Sequence, residues 1–236
     1  MSSTRSILVT GANQGLGFHT VHQLAQAENT LVFIGSRKLA NATEAIAKFA
    51  SEIHPSSSVV PVQLDLTDEE SIKNAAATVE KTLKEKQLIG LDVLVNNAAL
   101  GTDSFHDVYA VNVIGTAALT NALRPLLNKG GSILNISSTL GSLAWYTQRP
   151  PPPIYSAYAS SKSALNHLTL SWAIEEEQKG TDIRVVSICP GFNATNLNNY
   201  TGTMPPSEGA KIIVQNALQK GGESGVFFDK SGPVKW

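Results

Sequence analysis

Tyr158 and Lys162 stand four residues apart in Tyr155-Ser-Ala-Tyr158-Ala-Ser-Ser-Lys162, and Ser138 closes the upstream run Ser132-Ile-Leu-Asn-Ile-Ser-Ser138. On a helix, residues at that spacing lie one above the other on the same face, which makes the phenol and the ammonium neighbours. A phenol titrates near ~10 and is a poor acid or base at neutral pH. A fixed cation beside it favours the phenolate and draws that value towards working pH. A strand ending in a hydroxyl, followed by a helix that stacks phenol over ammonium, has the parts of a proton-transfer site. A Tyr and a Lys so spaced also occur by chance on amphipathic helices, so the rest of the chain must supply the argument.

The elements that would position these groups begin at the amino end. Residues 6–10 form a short apolar strand, followed at once by Gly11-Ala-Asn13-Gln14-Gly15-Leu16-Gly17 and a helical pattern on Leu16, Thr20, Val21 and Leu24. Strand, glycine turn and helix make a dinucleotide-binding opening, because glycines permit a tight turn and close approach to a pyrophosphate resting on the helix N-terminus. A second strand, 30–35, leads into Ser36-Arg37-Lys38, where such a fold inspects the adenosine ribose. No acid stands there to accept the 2′-hydroxyl of NAD, whereas Arg37 can pair with the 2′-phosphate of NADP. The alternative for Arg37 is a solvated residue at a helix start.

Further strands fall at 59–64, closed by Asp65-Leu66, at 91–95, ending in Asn96-Asn97-Ala98-Ala99, and at 132–136. Asp68 reads as the cap of a helix reaching about Lys86. A helix through Tyr109 and Asn112 is expected to run to about Leu127, with Gly130-Gly131 ending it. On residue type alone, Asn112 reads as readily as a satisfied core amide. Strands and helices alternating in this way predict an α/β, Rossmann-type doubly wound sandwich, with about seven parallel strands and helices on both faces. Ligands on such sheets bind beyond the carboxyl ends of the strands. Thr10, Asp65, Asn96 and Ser138 all fall at such ends, so a single site is expected there.

Residues 140–154 contain Trp145, Tyr146 and four prolines at 150–153, which cannot be helical, and predict a surface loop over the site. A sixth strand at 182–189 ends in Pro190-Gly191-Phe-Asn-Ala-Thr195. Residues 196–206 are polar and turn-rich and are expected to be mobile. A final helix at 207–220 and a short last strand at 225–229 complete a single domain spanning 1–236.

A net charge of −1 with 16% charged residues and no basic run argues against nucleic acid and anionic membrane as partners. No apolar stretch is long enough to span a bilayer, and the start Met-Ser-Ser-Thr-Arg-Ser lacks a leader core, so a cytoplasmic protein is expected. The Asn-x-Ser/Thr triplets at Asn41, Asn135, Asn193 and Asn199 are then coincidental. The one cysteine, Cys189, excludes an internal disulfide and reads as a small core residue. His19 and His22 are spaced like a metal pair but lack a third ligand, and no metal is expected.

With these residues assembled, the chain resembles the classical short-chain dehydrogenases/reductases from Ile7 onward. The matches are Thr10-Gly11-x-x-x-Gly15-x-Gly17, Asp65-Leu66, Asn96-Asn97-Ala98, Asn112, Ser138, Tyr158-x-x-x-Lys162 and Pro190-Gly191 with Thr195, in the family's order. The resemblance implies a carbonyl reductase that takes NADPH and reduces a ketone or aldehyde. Tyr158 would be the proton donor, Ser138 would bond the carbonyl oxygen, and Lys162 would bind the nicotinamide ribose and lower the Tyr158 pKa. Asn112 would hold a water relaying protons to Lys162. Ser138 is preferred to Ser137 on family pattern, and because alternation should send the two side chains to opposite faces. Gly11, Asn13, Gln14, Gly15, Leu16, Gly17, Ser36, Arg37, Asp65, Leu66, Asn97, Ala98, Tyr158, Lys162, Pro190, Gly191 and Thr195 would line the cofactor cleft.

Some NADPH-preferring relatives carry a basic residue where Gln14 stands, so preference over NADH is expected to be incomplete. Ala99 replaces a usual glycine, the 99–112 connection is shorter than usual, and the 138–158 connection is longer. Substrate identity therefore does not carry over. Two other readings are an NAD-dependent alcohol dehydrogenase working oxidatively and a nucleotide-sensing regulator without catalysis. A dimer, a tetramer and a monomer all stay open.

Overall fold

The computed structural model describes residues 4–148 and 155–236. Eight strands form one sheet: β1 Arg5–Val9, β2 Thr30–Ser36, β3 Ser58–Gln63, β4 Leu91–Asn96, β5 Leu127–Ile136, β6 Arg184–Ile188, β7 Val226–Asp229 and β8 Gly232–Pro233. Their spatial order is β3-β2-β1-β4-β5-β6-β7-β8. All neighbours pair in parallel except β8, which turns back antiparallel on β7. The expectation of about seven parallel strands holds, and the two-residue β8 is an addition too short to leave a periodic signal. The order reverses between β1 and β4, which opens a crevice at their carboxyl ends.

The helices are α1 Gly15–Gln26, α2 Leu39–Ala47, α3 Glu69–Glu85, α4 Phe105–Tyr109, α5 Thr116–Leu123, α6 Leu143–Gln148, α7 Ser156–Lys179 and α8 Pro206–Leu218. Strand alternation divides the core. Ile7, Val9, Val32, Ile34, Val93 and Val95 meet α1, α2 and α8 on one face, while Leu8, Leu31, Phe33 and Leu94 meet α3 and α5 on the other. Asp68 caps α3 by accepting from the Glu70 N–H at 2.9 Å, as its position predicts.

Two expectations need correction. The helix through Asn112 stops earlier, in a 3-10 turn at Arg124–Leu126 that contains Pro125, and Gly130-Gly131 lie inside β5. Proline removes the N–H that a continuing helix needs, so the chain turns into the strand sooner. The glycines instead sit where the β4–β5 register is irregular, between the pairs Leu91–Leu127 and Val93–Ser132. Residues 140–154 are also not all loop, because Thr139–Gly141 form a 3-10 turn and Leu143–Gln148 form α6. The sequence argument rested on Pro150 to Pro153, which lie outside the described residues. Among the described residues no helix is long and apolar enough to cross a membrane.

Candidate active site

The glycine turn is shaped by the end of β4. Gly11 and Gly15 have φ of +60° and +56°, a conformation that L side chains rarely adopt. A Cβ on Gly17 would stand 2.5 Å from Asn97 Nδ2, so the turn and Asn97 leave no room for a side chain there. Asn97 donates from Nδ2 to the Thr10 carbonyl at 2.8 Å, and the Asn97 and Ala98 N–H groups both donate to Thr10 Oγ1, at 3.0 and 2.9 Å. Sequence positions far apart thus meet where the strand order reverses. Gln14 at the N-cap of α1 makes no side-chain capping bond, and the first turn holds no acid. Its N–H groups and dipole therefore face the turn ready for an anion.

At the end of β2, Ser36 is buried and Arg37 is exposed. Arg37 makes no ion pair among the described residues within the 4 Å of a salt bridge, though its charge reaches Asp65. Burial by itself would raise the Asp65 pKa. Hydrogen bonds from the Thr67 N–H and hydroxyl, with the charge of Arg37, outweigh that and hold it below the ordinary value. Leu66 turns its side chain into the core, and its backbone lies against Gly115, where a Cβ would come 2.0 Å from the Leu66 carbonyl oxygen. Gly115 ends a π-helical turn, Ala110–Gly115, between α4 and α5. Asn112 lies in this turn with its side chain fully engaged. Its Oδ1 accepts from Leu100 N–H at 2.8 Å, and Nδ2 donates to the Leu100 carbonyl at 2.9 Å and to Ser161 Oγ at 3.0 Å. Asn112 ties the β4 exit loop to α7.

Helix α7 carries Tyr158 and Lys162 on one face, with Lys162 Nζ 5.5 Å from the centre of the Tyr158 ring. The Ser138 hydroxyl accepts from the Leu140 N–H at 3.2 Å and lies near enough to the Tyr158 phenol to draw its pKa down. Lys162 is buried and donates from Nζ to the Ile136 carbonyl at 2.7 Å, on the strand that delivers Ser138. Ser137 Oγ donates to Asn166 Oδ1 at 2.6 Å, and Asn135 Nδ2 donates to Thr169 Oγ1 at 2.8 Å. Asn135 and Ile136 at the end of β5, with Ser137 just past it, thus hold Thr169, Lys162 and Asn166, which are spaced i, i+4, i+7 from Lys162 along one face of α7. Asn166 and Thr169 were missed from sequence, although two polar residues in step with Lys162 were a visible signal.

Past Ile136 the backbone stays extended at Ser138, with φ −153° and ψ 149°, and the Ser137 N–H still bonds the Ile188 carbonyl of β6. What separates the two serines is their partner, since Ser137 is occupied by Asn166 while Ser138 faces Tyr158. The expected lowering of the Tyr158 pKa by Lys162 is corrected. Burial pushes the phenol upward, the nearby Cys189 adds to this, and only the Ser138 hydroxyl opposes it. Burial also lowers the Lys162 pKa to about 8. One of its three N–H donors is committed to the Ile136 carbonyl.

Past β6, Asn193 Nδ2 donates to the carbonyls of Pro190 and Gly191 at 3.1 and 2.9 Å and fixes that turn. Thr195 is buried, and its side chain lies 3.5 Å from where a Cβ on Gly15 would stand. A Cβ on Gly101 would lie 3.4 Å from Leu197, so residues 195–197 pass over the crevice between the glycine turn and the β4 exit loop. The structure therefore brings Gly11, Gly15 and Gly17 of the turn together with Asn97, Ala98 and Thr195, while Leu16 packs against the core. A cavity of about 520 Å³ lined by Arg124, Glu176, Lys179 and Thr181 lies at the opposite end of β5 and holds none of these groups. Among the described residues, no three His, Cys, Asp or Glu side chains gather as a metal site.

A profile of the family described as short chain dehydrogenase matches residues 5–205. A short-chain dehydrogenase of Penicillium roqueforti is 34% identical over 90% of this chain and 88% of its own length. An NADP-dependent 3-hydroxy acid dehydrogenase of Schizosaccharomyces pombe is 31% identical over 82% of this chain and 73% of its own. Among solved structures, the NADPH-bound carbonyl reductase from chicken fatty liver superposes with a TM-score of 0.82 at 30% identity, covering 100% of both chains.

Proposed function

The chain belongs to the short-chain dehydrogenase family, and we propose that this oxidoreductase uses NADPH to reduce a ketone or aldehyde to an alcohol. The observation that carries the proposal is Tyr158 with Lys162 Nζ 5.5 Å from the centre of its ring, together with a glycine turn where Gly11 and Gly17 leave no room for a Cβ. The residues present fit the dinucleotide: Gly11, Asn13, Gln14, Gly15, Leu16 and Gly17 would hold its pyrophosphate against α1, and Arg37 would bind the 2′-phosphate. Ser36, Asp65, Leu66, Asn97 and Ala98 would line its adenosine side, and Pro190, Gly191 and Thr195 its nicotinamide end. When bound, the cofactor supplies a hydride to the carbonyl carbon.

The chain's own groups supply the proton. Tyr158 keeps its proton over the whole physiological range, because burial raises its pKa, and so is poised to donate it to the carbonyl oxygen. Ser138 bonds that oxygen and aligns it with the phenol. Lys162, anchored on Ile136, is held near neutrality by burial and can return a proton towards Tyr158. Asn112 keeps the loop at Leu100 against α7 and so holds one edge of the cleft. The 196–206 segment would move to admit the cofactor.

An NAD-dependent oxidation would call for an acid after β2, and Arg37 is there instead. A screen of NADPH consumption over ketones, aldehydes and quinones tests the proposal. Turnover with NADPH and at least one carbonyl supports it, and tight NADPH binding with no turnover across the panel would favour a nucleotide sensor.

A further inference from the structure

Strand β7 and the residues after it connect the far edge of the sheet to the segment that follows Ser138. The Phe228 carbonyl of β7 accepts from the Cys189 N–H at 2.9 Å, immediately before Pro190-Gly191. β8 turns back on β7, and the Val234 N–H donates to the Phe227 carbonyl at 2.8 Å. Residues 235–236 then leave the sheet edge and run to α6. The Lys235 carbonyl accepts from Ser142 Oγ at 2.6 Å, and the Trp236 carbonyl accepts from the Ala144 N–H at 3.0 Å. The Trp236 ring stacks on buried Phe227, with ring centres 5.6 Å apart and planes inclined by 30°.

Ser142 is the pivot. It is 1% exposed, and its hydroxyl donates to Lys235 while accepting from the Trp145 N–H at 2.9 Å. One side chain therefore caps α6 and fastens it to residues more than ninety positions later in the chain. The α6 helix has six residues, too few to be stable alone in water, so its place depends on such outside contacts.

We propose that residues 235–236, seated by the Trp236–Phe227 stack, position α6 and thereby set which carbonyl substrates the site accepts. The proposal rests on the reductase reading for its substrate part. Trp145 and Tyr146 ride on α6, with their rings 6.0 Å apart in an edge-on arrangement, and α6 follows Ser138 by only a few residues. A shift of α6 moves these aromatic faces relative to the reacting carbonyl. It leaves the glycine turn and Arg37 untouched, because they lie on the other side of the strand-order reversal. Lys235 and Trp236 are positioning residues and touch no reacting atom.

The test compares wild type, Trp236→Ala and a variant ending at Val234. Amide hydrogen exchange at Ala144 and Trp145 should quicken by about tenfold or more in the shortened variant, and less in Trp236→Ala. The ratio of kcat/KM between a small and a bulky ketone should change by about threefold or more, with NADPH affinity unchanged. Unchanged exchange at α6 would overturn the proposal, as would an equal fall in kcat/KM for every ketone. Should the shortened variant not fold, Trp236→Ala decides the outcome on the same readings. Absence of carbonyl turnover in wild type would count against the reductase reading alone, and the exchange rates would still decide whether this segment holds α6.

Discussion

The two halves of the cleft are built from different materials. On the β1–β2 side, the cofactor half consists of backbone: a turn with left-handed glycines, an α1 N-terminus without a capping side chain, and Thr10 bonded to the chain past β4. On the β5–β6 side, the chemical half consists of side chains held by other side chains. Lys162, Asn166 and Thr169 are each hydrogen-bonded to one of residues 135–137, at and just past the end of β5. Under the proposed function, the first half would hold the cofactor, and the second would hold the proton donor with α6 following it in the chain.

The largest separation between the halves is expected from Tyr158→Phe. Loss of the hydroxyl should lower kcat by about 10²–10⁴-fold. NADPH affinity, measured by fluorescence titration, should stay near wild type. A substantial residual rate would remove Tyr158 from the chemistry.

Arg37→Ala probes the opposite half and should do the reverse. A charge-assisted contact to phosphate is worth about 1.5–3 kcal/mol, so Kd for NADPH should rise by that measure while Kd for NADH and kcat at saturation hardly move. Equal losses for the two cofactors would show that Arg37 does not read the 2′-phosphate.

These two halves were not equally legible in the sequence. Where the glycine turn, Arg37, Asn97 and the Tyr158–Lys162 pair fall on their elements could be read because each position depends on local geometry: a turn, a strand end, one helical turn. The parallel sheet covered on both faces, with its strand ends gathered together, followed from the βα rhythm; the order of the strands did not. The α6 helix could not be read, since its six residues are held by Ser142, Lys235 and Trp236, which no local pattern joins. The partners of Ser137 and Ser138 were hidden for a similar reason, because they are set where the chain leaves the sheet. The direction of the Tyr158 pKa depends on burial, and spacing alone does not report burial.

Lys162 gives a pH signature of the chemical half. Burial lowers its pKa from 10.5 to about 8, so between those values the unfolded chain binds more protons than the folded one. Stability should therefore gain a contribution as pH rises from about 8 towards 10, and lose it as pH falls back through about 8. Tyr158 acts oppositely, and only above its ordinary value of 10.0, where its raised pKa costs the folded state stability as pH rises. Thermal unfolding of wild type and Lys162→Met across this range should show the rising contribution in wild type alone. Parallel curves would place the Lys162 pKa elsewhere.

The smallest expected effect is that of Trp145→Ala in α6. Relative kcat/KM across a ketone panel should change by several-fold, about 1 kcal/mol, with NADPH affinity unchanged. A uniform fall, or a drop in Tm with selectivity intact, would make Trp145 a packing residue only.

The most direct test of the central claim follows both transferred hydrogens in a single turnover. Enzyme is mixed with NADPH carrying deuterium at both C4 positions of the nicotinamide and with a reducible ketone in ordinary water. The account predicts deuterium on the carbinol carbon, one alcohol formed per NADPH consumed, and a rate that falls in heavy water for wild type. Deuterium absent from the carbinol carbon, or an unchanged rate when Phe replaces Tyr158, would contradict it.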